Sequence, residues 1–165
     1  MNKYLTFFLM LFSMLNLDAD NIKLTSQDIL MPPLPLPYNN KNISSELLDG
    51  FIDEAINKNL QPVIIFGGNW CPDCRILDGT LELPTVEKFL NEHYKIMHID
   101  IGRYDKNMEL MSHLKIEQKK GVPRVVIFNF QKEILNSSTS SEWTTARDRK
   151  QQEIFNYFQK YVVKN

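Results

Sequence analysis

Two cysteines are all this chain of 165 residues has, and they stand together in Cys71-Pro72-Asp73-Cys74. A disulfide across so short a loop removes little entropy from the unfolded chain, so the pair would not staple a scaffold. It is there for redox chemistry or for a metal. The four residues lie between two recognisable elements. Val63-Ile64-Ile65-Phe66 is an apolar, β-branched run, as in a strand buried on both faces. Gly67-Gly68-Asn69 breaks it, and Arg75-Ile76-Leu77 continues as a helix beyond the motif. The cysteines then fall at a helix N-terminus, where unpaired N–H groups and the positive dipole end stabilise a thiolate, the reactive form of cysteine. Cys71 is the candidate nucleophile. Pro72 suits a first helical turn, where no N–H is required. Cys74, one turn further in, can attack a mixed disulfide and release the substrate. Asp73 adds a carboxylate that should disfavour a nearby thiolate.

The elements needed to hold this motif can be read on either side of it. Serine at 44 or 45 caps a helix running to about Asn59, with Leu47, Leu48, Phe51, Ile52, Ala55 and Ile56 at helical spacing. After the cysteine helix, Thr80 to Pro84 interrupts, and Thr85 can cap a segment carrying Val86, Phe89 and Leu90. Lys95 to Asp100 alternates as a strand. Asn107 to Leu114 reads as a helix with Met108, Met111 and Leu114 inward. Gly121-Val122-Pro123 introduces a strand over 125–128, a turn over 129–132 and a returning strand over 133–135. Ser137 to Ser141 is a polar loop, and Thr144 to Val163 reads as a last helix with Ile154, Phe155, Phe158, Tyr161 and Val162 on one side. Strands joined through helices pair in parallel, and the final hairpin adds an antiparallel edge. The expected class is α/β, a central mixed sheet with helices on both faces.

The ends differ from this core. Lys3 is followed by the uncharged apolar run Tyr4–Leu17 and then Asp18-Ala19, the layout of a secretory signal peptide over 1–19. The run is shorter than the roughly 20 residues of a membrane-spanning helix; the alternative is an uncleaved anchor. Residues 20–43 form an arm or linker around Met31-Pro32-Pro33-Leu34-Pro35-Leu36-Pro37, which favours extended backbone. The domain proper is expected over 44–165. A net charge of -1 offers nucleic acid no general attraction. Export implies an oxidising compartment.

Strand, Trp70, the Cys-x-x-Cys motif, helix, and a later Gly121-Val122-Pro123 before a hairpin together resemble the thioredoxin superfamily, from about Ser44 to the C-terminus. The resemblance implies a thioredoxin-like fold and a thiol–disulfide oxidoreductase with no cofactor beyond a Cys71–Cys74 disulfide. It makes Pro123 the family's cis-proline beside the cysteines. Val122 would then offer backbone hydrogen bonds to substrate, and Trp70 would form part of the lip. Partners would be proteins bearing disulfides or thiols and a membrane or soluble dithiol electron partner. Thioredoxin's buried, proton-transferring Asp is replaced here by Ile65, so the Cys74 proton must use water, Asp73 or another group. Pro72, Asp73 and Arg124 are the candidates for tuning thiol acidity. Arg124, where thioredoxin has Thr, would stabilise the thiolate or favour acidic substrates, unless it is a solvated surface residue. Asp73 leans the reading toward a reductase, with Cys71 less acidic than in strongly oxidising relatives. Cytosolic thioredoxin-related proteins share Trp-Cys-Pro-Asp-Cys, but the signal segment fits periplasmic reductases better.

Two other classes compete. A structural zinc site needs about four ligands; Cys71 and Cys74 supply two, and His93, His98 and His113 show no ligand spacing to complete it. The histidines read instead as surface or structural residues, and Asp100 and Asp105 as caps or turn residues. A binding module would keep the fold and hold a partner without redox turnover.

Overall fold

The apolar run before the cysteines is the middle strand of a three-stranded sheet. In the computed structural model, which describes residues 21–118 and 120–164, β1 (Gln61–Gly67) is buried along its whole length. The inferred signal segment over 1–19 lies outside the described residues. β1 pairs in parallel with β2 (Tyr94–Asp100) and antiparallel with β3 (Arg124–Ile127), giving the order β2-β1-β3. Because side chains alternate along a strand, β1 feeds two cores. Val63 and Ile65 pack with Val125 and Ile127 under α2 (Pro72–Leu81), α3 (Pro84–His93) and α5 (Gln151–Lys160). Ile64 and Phe66 pack with Ile99 and Val126 under α1 (Ser45–Asn57) and α4 (Glu109–His113). The fold is thus the mixed α/β sheet expected, with helices on both faces. Each such side chain, fully buried, contributes about 1.5–3 kcal/mol.

α1 starts where serine capping places it: the Ser44 hydroxyl accepts the Leu47 N–H at 3.2 Å. α3 starts differently. Leu83 is its N-cap and offers no side-chain bond. Asp28 of the arm does the capping, accepting the Thr85 N–H at 2.8 Å and the Thr85 hydroxyl at 2.7 Å. Burial acts upward on Asp28, but bonds from the Thr25 and Thr85 backbone and hydroxyls outweigh it and hold its pKa well below the usual carboxylate range. The arm follows the domain for most of its length. Ile22 and Leu24 bond to Gln159 and Gln152 of α5. Leu30, Leu34 and Pro35 lie against Gly79 of α2, and the Arg75 guanidinium donates to the Leu34 carbonyl at 3.2 Å.

Three elements depart from the periodicity. α4 is shorter than 107–114, because the Asn107 amide ties down Ile43, Lys41 and Asp100 and holds its own backbone at φ +51°. The returning strand over 133–135 is reduced to a single Phe128–Ile134 bridge. The Asn136 side chain ends it, accepting from Ile127 N–H and donating to the Val125 carbonyl, both at 2.8 Å, so it occupies the edge of β3. The last helix does not start at Thr144. Residues Glu142–Asp148 form 3-10 turns, broken at Thr145, and extended backbone at Arg149 separates them from α5. Arg149 stacks on Trp143 at 4.9 Å and pairs with Glu142 and Glu153, which fixes the bend.

Candidate active site

Cys71 is the N-cap of α2, with extended backbone at φ −90°, ψ 117°. Its sulfur accepts the Cys74 N–H at 3.3 Å and donates to the Val122 carbonyl at 3.5 Å. The cap position explains its chemistry: an orphan amide of the first turn points at the sulfur, where negative charge is stabilised. The Cys71 thiol is lowered from 9.0 to about 7. The Cys74 thiol hydrogen bond is the largest cause; burial opposes it, and the Cys74 and Asp73 backbone amides help. Cys74 behaves oppositely. It is fully buried, and burial, then the neighbouring Cys71, push its pKa far above 9.0. Both thiols are free, so the geometry is that of the reduced pair.

Asp73 does act upward on Cys71. Its carboxylate, however, is buried and turned toward the 3-10 segment, where it binds Arg147 through the backbone N–H at 2.9 Å and through the guanidinium at 2.6 Å. Both Asp73 oxygens are engaged, which removes it as a carrier of the Cys74 proton. Pro72 opens α2, where no N–H is needed. The Val122–Pro123 bond is cis, and the Val122 carbonyl faces the Cys71 sulfur. Trp70 is half-buried at the rim. Its indole N–H donates to the Gly102 carbonyl at 2.5 Å, Arg103 lies over its ring at 4.8 Å, and Tyr104 meets it edge-on at 5.6 Å. Tyr104 in turn accepts the Gly121 N–H at 3.2 Å, joining the two loops that flank the cysteines.

Arg124 is not a solvated surface residue: it is 4% exposed. It bonds to the Ser140 hydroxyl at 3.2 Å and feels Glu117, while burial lowers its pKa. Its charge is directed at that end of β3, and the charge that acts among the main influences on Cys71 is that of Asp73. Asp100 and Asp105 hold turns, accepting from Gly102 and Arg103 N–H groups at 2.8 Å. Among the described residues, no group of three or more His, Cys, Asp or Glu is placed to share a metal. His93 stacks on Phe89 and His113 pairs with Asp49, far apart in the fold.

The thioredoxin family profile matches residues 38–156. The chain belongs to the thioredoxin family. Thiol–disulfide oxidoreductase chemistry is the activity of that family, and the cysteine pair is present. Among solved structures, the disulphide isomerase from Xylella fastidiosa Temecula1 is similar, with a TM-score of 0.68 and 28% identity over 77% of this chain and 97% of that one. The germline-specific thioredoxin Deadhead from Drosophila melanogaster shares the fold, with a TM-score of 0.50 and 19% identity over 74% and 99% of the two chains. None of the curated proteins matches this chain.

Residues that sequence reasoning missed gather around Cys74. Tyr38, from the arm, is buried beside it; Asp78, one helical turn beyond it on α2, is also buried. His98 of β2, read from the sequence as a surface or structural residue, meets Asp78 at 2.6 Å. The helical spacing of Cys74 and Asp78 was a visible signal, since positions four apart share a face. Nothing local marked Tyr38.

Proposed function

We propose that this thioredoxin-family chain reduces protein disulfides outside the cytoplasm through a Cys71/Cys74 dithiol–disulfide cycle. The observation that carries the reading is the asymmetry of the two thiols: a capped Cys71 that ionises near neutrality, backed by a buried Cys74 that stays protonated. The Cys71 thiolate attacks one sulfur of a substrate disulfide. The substrate S–S bond breaks, one substrate thiolate leaves, and a mixed disulfide forms. Cys74 then loses its proton and attacks Cys71. The mixed disulfide breaks, the second substrate thiolate leaves and takes a proton, and the Cys71–Cys74 bond forms. Two electrons have passed to substrate, and an external dithiol restores the pair. Trp70, Val122 and Pro123 border the sulfur that the substrate must reach, with the Val122 carbonyl as its backbone contact. Pro72 opens the helix and Asp73 supplies the charge nearest Cys71, while the buried Arg124 is engaged with Ser140. The extracytoplasmic setting rests on the signal-like residues 1–19.

The likeness to a disulphide isomerase favours a second reading, in which Cys71 reshuffles disulfides and Cys74 serves as an escape from trapped intermediates. The reduction potential separates them. Equilibration in glutathione buffers, read by thiol alkylation, should give a value near thioredoxin's, about −270 mV. A value near about −180 mV would favour isomerisation, and one near about −120 mV would make the protein an oxidant. A Cys74→Ser variant that accumulates no mixed disulfide with any disulfide-bearing protein would leave only the binding-module reading.

A further inference from the structure

The resolving thiol has a problem of its own. Cys74 must lose a proton before it can attack, it is fully buried, and Ile65 offers no carboxylate. Asp73 is held by Arg147. The proton needs another acceptor, and the structure gathers one from three distant segments.

Tyr38 is 3% exposed, and its hydroxyl bonds to no nitrogen or oxygen among the described residues. The hydroxyl and the Cys74 sulfur approach the same point of Gly67: a Cβ added there would collide with Tyr38 and stand 2.8 Å from the sulfur. Only glycine leaves room for the two to meet. Tyr38 is fixed in this place by a reciprocal pair with Asn69, next to the motif, donating its N–H to Asn69 Oδ1 at 3.1 Å and accepting Asn69 Nδ2 at 2.7 Å. Its ring stands edge-on to His98 at 5.4 Å. Asp78 is 2% exposed; its Oδ1 binds His98 Nε2 at 2.6 Å, while its Oδ2 is buried with no hydrogen bond. A buried polar atom left unpaired costs about 1–3 kcal/mol. Here two of them, the Tyr38 hydroxyl near the Cys74 sulfur and an oxygen of Asp78 whose charge acts on that thiol, are left unpaired. A catalytic role is one of the reasons a buried polar group stays unpaired.

We propose that Tyr38 and Asp78 form a relay that takes the proton from Cys74 in the resolving step, with His98 holding and discharging Asp78. The proposal deepens the dithiol reading above and rests on it. The Tyr38 oxygen accepts the Cys74 proton as the tyrosine gives up its own hydroxyl proton toward Asp78 Oδ2; the two oxygens are not hydrogen-bonded to each other in the reduced protein, so a bridging water completes the transfer. The Cys74 sulfur, now an anion, spends its electron pair on the bond to Cys71, and the Cys71–substrate bond breaks. The departing substrate thiolate carries away the two electrons of that bond. The proton on Asp78 leaves by way of His98, which is partly exposed, with 24% of its side chain accessible. Asp78 and His98 also line a cavity of about 170 Å³ with Glu82 and Glu87, which gives the proton a route to solvent. Tyr38, whose hydroxyl flanks the same point of Gly67 as the Cys74 sulfur, is the residue that would meet the reacting atom; Asp78 and His98 act through it. The charged or titratable groups facing Asp78 are Tyr38 from the arm, Cys74 from the start of α2, His98 from β2, and Glu82 and Glu87 at the cavity. The Asp78 charge and the Cys74 thiol, after burial, both raise Tyr38's pKa, consistent with a hydroxyl that does not ionise but relays.

The test is a single turnover on the full chain. Cys71 of the reduced protein is reacted with an excess of an aromatic disulfide that releases a coloured thiol. The first release reports attack by Cys71, and the second reports attack by Cys74. Tyr38→Phe removes one oxygen and keeps the ring. It should leave the first release unchanged and slow the second by about 10²-fold near pH 7, the scale of general acid–base catalysis. The deficit should close as pH rises and hydroxide takes over. Asp78→Asn should show the same split. His98→Gln, which keeps a donor to Asp78, should lose less than His98→Ala. A second release in Tyr38→Phe with the wild-type rate and pH profile would overturn the relay. Loss of the first release in the wild-type protein would instead sink the dithiol reading itself, so the two failures are told apart.

Discussion

Cys71 and Cys74 are one turn apart on α2, yet what surrounds each sulfur comes from different parts of the chain. Around Cys71 the partners are local: the Cys74 N–H at 3.3 Å and the first-turn amides, with the Val122 carbonyl across the cleft. Around Cys74 the local Cys71, Gly68 backbone and Asp78 one turn on are joined by remote groups: Tyr38 from the arm and, through Asp78, His98 from β2. The nucleophile's acidity is thus a property of a helix start, which any chain gains by placing a cysteine at an N-cap. The resolving thiol's environment is assembled by tertiary contacts and depends on the arm staying in place.

Breaking each sulfur in turn gives the largest contrast. Cys71→Ser should abolish reduction of a protein disulfide substrate, with no covalent adduct on gels. Cys74→Ser should also lose turnover but accumulate the Cys71 mixed disulfide; equal behaviour of the two variants would erase the distinction. Next in size is the pH dependence. Alkylation of Cys71 should rise about tenfold per pH unit below its pKa and level off above about 7, while Cys74 stays unreactive throughout this range. The same shift has a stability sign. The folded Cys71 pKa lies below its ordinary value of 9.0, so between about 7 and 9.0 the unfolded reduced chain binds more protons. Stability of the reduced protein should therefore rise with pH across that window and be lost as pH falls through about 7. Urea titrations at several pH values would show it, and Cys71→Ser should flatten the slope.

Smaller effects probe the supports on each side. Arg147→Ala leaves the buried Asp73 carboxylate with only the backbone N–H and should lower the denaturant midpoint. It should also raise the Cys71 pKa, seen as a shift of the alkylation profile to higher pH. Asp28→Ala removes the borrowed cap of α3, at about 0.5–2 kcal/mol by denaturant unfolding. Because Asp28 tethers the arm that carries Tyr38, that variant should slow the second thiol release and leave the first alone.

Much of this was legible in local patterns. The apolar run at 63–66 had to be a central strand, the serine at 44 had to cap a helix, and Cys-Pro-Asp-Cys after a glycine break had to sit at a helix start. Where side chains override periodicity, the reading failed. Asn136 takes the place of a strand at the edge of β3, and Asn107 and the Arg149–Trp143 stack cut two helices short. In each case a polar side chain satisfies backbone or charge that a continued element would have claimed, and spacing carries no trace of that.

By itself, the sequence determined the three sheet strands, the helices between them and the place of the cysteine pair at a helix start. Those follow from short-range physics: side-chain alternation, capping and the dipole of the first turn. Only the tertiary structure decided that Asp73 answers to Arg147, that Arg124 is buried, and that an arm rich in proline delivers Tyr38 to Cys74. Such pairings span long stretches of chain, and they form because burial leaves charges and hydroxyls to find partners wherever the fold brings them.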